Sequence, residues 1–157
     1  MKPLALLCLT VSAFFAGETL LLPHRWQDAR HEMGQIIRTA ETPLIFVTDT
    51  LDDAQLARAL RTRLKKGRSV MLITSSERTA SEWAMYRTLV PCLLLQAQPL
   101  GFTLVAAEDK GACTLSLPFE TERMRSDYGV MQCSQYRDAE ETVRLLKQEC
   151  KGYFSDK

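Results

Sequence analysis

No stretch of the chain approaches the ~20 consecutive apolar residues that a membrane-spanning helix needs. Charge of one sign is not in surplus either: 20 Lys and Arg stand against 19 Asp and Glu, for a formal net charge of +1. Overall charge therefore selects neither nucleic acid nor an acidic surface as a partner. Glycine is scarce, and none of the seven falls in a G-x-G-x-x-G or Walker pattern, so a glycine-rich phosphate loop is excluded. The only histidines are His24 and His31. With no imidazole beyond position 31, Ser75, Ser76, Ser81 and Ser116 have no partner in any nucleophile-elbow arrangement, which excludes a serine hydrolase. No C-x-x-C pair exists, so a zinc ribbon or thioredoxin-like motif is excluded. Internal repeats and low-complexity tracts are absent.

What is present begins with an unusual first segment. Lys2 is the only charge before Glu18, and Leu4 to Ala16 is an unbroken run of 13 apolar or small residues. A positive start followed by a short apolar stretch reads as a secretory signal over residues 1–16, with cleavage favoured after Ala13 by the small residues of Val11-Ser12-Ala13. The remainder, residues 17–157, reads as one domain. Cys8 would leave with the signal. Cys92, Cys113, Cys133 and Cys150 remain, an even number suited to an oxidising compartment, and on sequence alone they admit three pairings. The expected location is periplasmic or secreted.

Periodicity supplies the element order. Glu18 to Pro23 is a short strand. Asp28 to Ala40 places Met33, Ile36, Ile37 and Ala40 on one helical face. Leu44 to Thr48 reads as a fully buried strand. Thr50 to Asp53 supplies cap chemistry for a helix running to Lys66, with Leu56, Leu60 and Leu64 on one stripe and Gly67 as its stop. Val70 to Thr74 is a second buried strand, Thr79 to Leu89 a helix, and Leu93 to Ala97 a strand. Phe102 to Ala107 and Ala112 to Leu117 flank Asp109-Lys110-Gly111 as a β-hairpin. Glu120 to Asp127 reads as a charged loop, Gly129 to Cys133 as a strand and Asp138 to Cys150 as a helix. Early alternation of strand and helix implies a parallel core, and the later hairpin adds antiparallel strands. The fold class is α/β, a mixed parallel/antiparallel sheet flanked by helices on both faces.

In this order, LLLPHRWQDARHEMGQIIRTAETPLIFVTDTL, LARALRTRLKKGRSVMLITSS, GFTLVAAEDKGACTLSLPFE and SDYGVMQCSQYRDAEETVRLLKQ resemble successive segments of one lobe of the phospholipase D-like superfamily, of the single-lobe Nuc-like type. Members carry H-x-K-x4-D, then a Gly-Ser pair and often an Asn. One histidine attacks phosphorus, the histidine of a second copy serves the leaving group and then water, and the lysines hold the phosphoryl oxygens. Laid on this chain, the resemblance puts the histidine at Gly101, the lysine at Thr103, the aspartate at Glu108, the Gly-Ser pair at Leu115-Ser116 and the asparagine at Pro118. Glycine cannot attack phosphorus and threonine carries no charge, so the resemblance implies a degenerate motif and a protein without catalytic residues that binds or supports. The competing expectation is a phosphodiesterase, nuclease or phospholipase, with an altered site lined by Thr103, Glu108 and Ser116. An open crevice around Thr103 and Glu108 would favour ligand binding, and a packed one a scaffold.

The same resemblance implies a homodimer, since single-lobe members pair across a two-fold axis, and it places Cys113 and Cys133 on neighbouring strands. A Cys92–Cys150 bridge would then join helix to sheet. Neither a cofactor nor a metal is expected. Arg58, Arg61 and Lys65 share one helical face and are candidate phosphate ligands for nucleic acid or anionic lipid, against the plainer reading of a solvated face. A protein partner in the cell envelope is a further expectation. Asp49, Asp52 and Asp53 follow a buried strand, where helix capping is the favoured reading over a ligand site. His24 and His31 lack metal-ligand spacing.

Overall fold

The computed structural model describes the backbone of residues 17–84, 92–95 and 98–155, and the side chains of 17–83, 98–145 and 148. The expected export segment, residues 1–16, lies outside them. The strands are β1 (Glu18–Leu22), β2 (Leu44–Val47), β3 (Leu51–Asp52), β4 (Val70–Thr74), β5 (Cys92–Leu95), β6 (Thr103–Ala107), β7 (Gly111–Leu115), β8 (Phe119–Glu120) and β9 (Gly129–Ser134). The helices are α1 (Trp26–Thr39), α2 (Ala54–Lys65), α3 (Glu77–Ala84), α4 (Thr121–Ser126) and α5 (Tyr136–Ser155).

Seven strands form one sheet in the order β1-β9-β7-β6-β2-β4-β5. β2, β4 and β5 are parallel, as helix-linked strands must be, while β6, β7, β9 and β1 add on antiparallel. All four residues of β2, LIFV, are buried, which is what a strand covered on both faces requires. On one side Leu44, Phe46, Leu72, Val105, Leu115 and Met131 meet the apolar stripes of α1 and α2, together with Trp83 of α3 and Met124 of α4. On the other, Ile45, Val47, Ile73, Leu104 and Ala106 pack beneath Val143 of α5. Gly67, at φ +72°, closes α2 as the sequence predicts.

One expectation is corrected. Glu120 to Asp127, read as a charged loop, forms part of β8 and then α4. β8 pairs in parallel with β3, Leu51 opposite Phe119 and Asp52 opposite Glu120. The charges concealed a two-residue apolar anchor: Phe119 and Met124 are fully buried. Smaller shifts occur at boundaries. α1 starts at Trp26, α3 at Glu77 and α5 at Tyr136, β5 spans Cys92–Leu95, and residues 85–89 and 96–97 of the predicted elements lie outside the described residues.

The hairpin turn between β6 and β7 is tied to the α1–β2 link. Asp109 accepts hydrogen bonds from the Glu41 amide at 2.9 Å and from the Thr42 amide at 3.3 Å and hydroxyl. Burial would raise its carboxyl, but these donors outweigh it and hold it at about 2, so the tie is anionic throughout the neutral range.

Cys113 and Cys133 stand directly opposite in the β7–β9 ladder and form a disulfide, with a Cα separation of 4.1 Å. The side chains of Cys92 and Cys150 lie outside the described residues. The disulfide closes a sequence separation of 20 residues. Replacing both cysteines by serine is expected to lower unfolding free energy by ~3 kcal/mol, read by urea denaturation of the two proteins side by side.

Candidate functional site

In a parallel α/β sheet, ligands gather where strands end at their carboxyl termini. Here β2 ends into Thr48 and Asp49, and β4 ends at Thr74 and Ser75. β6 runs antiparallel to β2, so it begins at this edge and places Gly101 and Thr103 beside those residues. β7 and β9 bring Ser116 and Gly129 to the same edge.

Thr103 is fully buried. Its hydroxyl lies 3.0 Å from that of Thr48 and 2.9 Å from the Leu117 carbonyl. The Thr48 hydroxyl in turn lies 2.8 Å from the Thr50 carbonyl and accepts the Phe119 amide at 3.1 Å. This network fills the position with short neutral groups. Two residues earlier, Gly101 has φ +73°. A side chain at that backbone conformation costs roughly 1–2 kcal/mol, so an imidazole would be strained as well as absent.

The group that shapes this edge is Asp49, which is nearly buried. Its carboxylate accepts from the Ser75 hydroxyl, from the Leu100 amide and from the Gly101 amide at 2.7 Å. Its own carbonyl accepts the Thr74 hydroxyl at 2.7 Å. Burial pushes the carboxyl up, yet the Ser75 hydroxyl and the two amides together hold it below the ordinary value, with Arg123 adding attraction. The sequence favours Asp49 as part of a helix cap over a ligand site; it does neither, and instead anchors the segment entering β6.

The other expected site residues do not converge. Glu108 is exposed in the hairpin turn at the far end of β6, roughly 17 Å from Thr103 at ~3.4 Å per residue. An altered site combining Thr103, Glu108 and Ser116 is therefore not assembled within one chain. Ser116 is a ladder residue: its hydroxyl accepts the Val130 amide at 2.9 Å and its amide donates to the Val130 carbonyl at 3.0 Å. Of the three aspartates after β2, Asp53 fulfils the favoured capping reading. Asp53 caps α2 through the Gln55 and Leu56 amides, both at 3.0 Å, and receives Arg30 at 3.3 Å. Asp52 is exposed beside a groove of about 430 Å³ whose Arg61 and Glu82 pair with each other.

Arg58 and Lys65 are exposed on α2, while Arg61 also lies 5.5 Å from the Trp83 ring. His24 and His31 are exposed, the latter contacting Gln35 one turn on. Among the described residues no group of three His, Cys, Asp or Glu could hold a metal, and no helix is long and apolar enough to cross a membrane.

The architecture is that of the phospholipase D-like proteins, a mixed sheet with helices on both faces. It is similar to NucT from Helicobacter pylori, with TM-score 0.68 and 13% identity over 85% of this chain and 94% of that one. It is similar also to Nuc from Salmonella typhimurium, a phospholipase D family member, with TM-score 0.61 and 16% identity over 85% of this chain and 92% of that one. TrmBL2, an archaeal chromatin protein, matches with TM-score 0.51 and 10% identity over 87% of this chain and 49% of its own. No family model and no curated protein matches the sequence.

Replacing Asp49 by alanine removes the acceptor of two amides and a hydroxyl. Stability is expected to fall by about 1–3 kcal/mol at neutral pH, with faster hydrogen exchange at Leu100 and Gly101. Because the folded carboxyl lies below its unfolded value of 3.8, this contribution is complete above that value and disappears as pH falls through the folded one. Denaturant melts of the two proteins should converge in strong acid.

Proposed function

We propose that the chain is an exported phospholipase D-like domain that lacks the phosphodiesterase chemistry of its fold relatives and acts as a binding or structural protein. The observation that carries this reading is the buried threonine pair. Where the resemblance calls for a lysine to clamp phosphoryl oxygens, Thr103 is sealed against Thr48 and Leu117. Electrostatic stabilisation of a transferring phosphoryl group depends on such a cation, and nucleophilic attack depends on a histidine, for which Gly101 is no substitute. The Cys113–Cys133 disulfide supports an oxidising compartment and so a periplasmic or secreted location. Purified protein is expected to leave bis-p-nitrophenyl phosphate and plasmid DNA intact, with or without divalent metal. Hydrolysis that is abolished by Glu108→Gln would establish the altered phosphodiesterase instead.

The domain acts as a homodimer in this reading. Support comes from the outer face of β1 and β9, where apolar side chains stand exposed. Leu21 and Val130 stand opposite each other in the ladder and are 59% and 40% exposed, and Tyr128 beside them is 89% exposed. Ser116, the residue matching the relatives' Gly-Ser pair, bonds to Val130 at the border of this patch. An apolar surface continuous with the degenerate motif suits pairing of two copies across that edge. Light scattering on a size-exclusion column is expected to give twice the monomer mass, and Val130→Glu to give a folded monomer. A wild type that stays monomeric across concentration would assign the patch to another protein of the cell envelope.

A further inference from the structure

At the opposite end of the sheet, where α1 and α2 finish and β2 and β4 begin, four cations surround one small cavity. Arg38, Arg63, Lys66 and Arg68 line a pocket of about 130 Å³ whose remaining walls are Ala59 and Thr62, with no carboxylate among them. At a liquid share of ~30 Å³ per water, that space holds about four waters or one tetrahedral oxyanion.

Helix ends explain part of this charge. The carboxyl terminus of a helix attracts cations, and Arg63 and Arg68 both donate to the carbonyl of Ala40, the residue that follows α1, the latter at 3.1 Å. Arg63 is only 3% exposed and its other contacts are the carbonyls of Thr42 and Ser69. It is thus a buried guanidinium surrounded by neutral acceptors. Burial, then the nearby Arg68, pulls it below the usual arginine value, with Asp109 acting weakly the other way. Asp109 has its oxygens engaged by Glu41 and Thr42.

Helix ends account for the placement of Arg38, in the last turn of α1, and of Lys66, the residue that follows α2, but leave both without a partner. Among the described residues neither side chain makes a hydrogen bond or an ion pair. A Cβ on Gly34, one turn earlier in α1, would come within 2.9 Å of the Arg38 guanidinium. A glycine in a helix interior costs ~1 kcal/mol against alanine, and here its bare backbone leaves the space in which the guanidinium lies. Four like charges around one cavity repel one another, and a doubly charged oxyanion removes that repulsion while accepting several charge-assisted hydrogen bonds.

We propose that Arg38, Arg63, Lys66 and Arg68 form a binding site for a single phosphate group. It is distinct from the Arg58, Arg61 and Lys65 face of α2 and lies at the other end of the sheet from Gly101 and Thr103. The probe is inorganic phosphate, titrated into the protein against chloride at matched ionic strength and followed by calorimetry and by amide shifts. Saturable binding is expected, with the largest shifts at Lys66, Gly67 and Arg68. In the double variant Arg38→Gln, Lys66→Gln, which leaves the buried Arg63 in place, the dissociation constant should rise about tenfold or more. Gly34→Ala should weaken binding in the same direction, and Arg58→Gln with Lys65→Gln should leave it unchanged. Co-sedimentation with phosphatidic acid vesicles that the double variant abolishes would identify a lipid headgroup as the source. Phosphate binding without co-sedimentation would identify a soluble phosphate. Absence of saturable binding by the wild type, or equal affinity in the double variant, overturns the proposal.

Discussion

The contact between the hydroxyls of Thr48 and Thr103 joins the two halves of this protein. On one side lie the parallel strands β2, β4 and β5, and on the other the antiparallel strands β6, β7, β9 and β1. The seam is buried, so every polar atom along it must find a partner inside the protein. Leu117 and Phe119 supply those partners from the segment leading into β8, which in turn pairs with β3 and positions α4. One short neutral pair therefore fixes both the sheet edge and the elements packed beside it. It also determines the chemistry of that edge, because a position sealed by threonine cannot present a cation to a phosphate.

The same edge is locked from the β2 side by Asp49, whose carboxylate gathers the amides of Leu100 and Gly101. The described polar groups at these strand ends bond to one another. Of the cationic side chains, Arg123 lies near enough to this edge to attract Asp49 while pairing with Asp127, Arg61 pairs with Glu82, and others collect at the far end of the sheet around Arg63. The fold is shared with Nuc-type proteins, while the distribution of charge over it is this chain's own.

Much of the fold was legible in the residues. β2 and β4 were read from unbroken apolar runs, α1 and α2 from stripes at helical spacing, and the β6–β7 hairpin from its Asp-Lys-Gly turn, because each signal is local. Glu120 to Asp127 was misread as a loop because the buried Phe119 and Met124 that anchor it stand alone among charges and reveal their role only when β3 lies alongside. Of the candidate site, the residue types at Gly101 and Thr103 were visible, but the distance separating Glu108 from them was not. A motif aligned along a strand does not say at which end of the sheet each member falls.

The amino-acid sequence by itself determined the order of the main helices and of the strands of the large sheet, the short apolar run behind Lys2 and the lack of any histidine beyond position 31, since all three are properties of composition and near-neighbour spacing. Tertiary structure alone decided that Cys113 faces Cys133, that Thr103 is sealed and that Arg38, Arg63, Lys66 and Arg68 surround one cavity. Those are contacts between segments far apart along the chain, and only the register of the sheet and the packing of helices upon it bring them within reach.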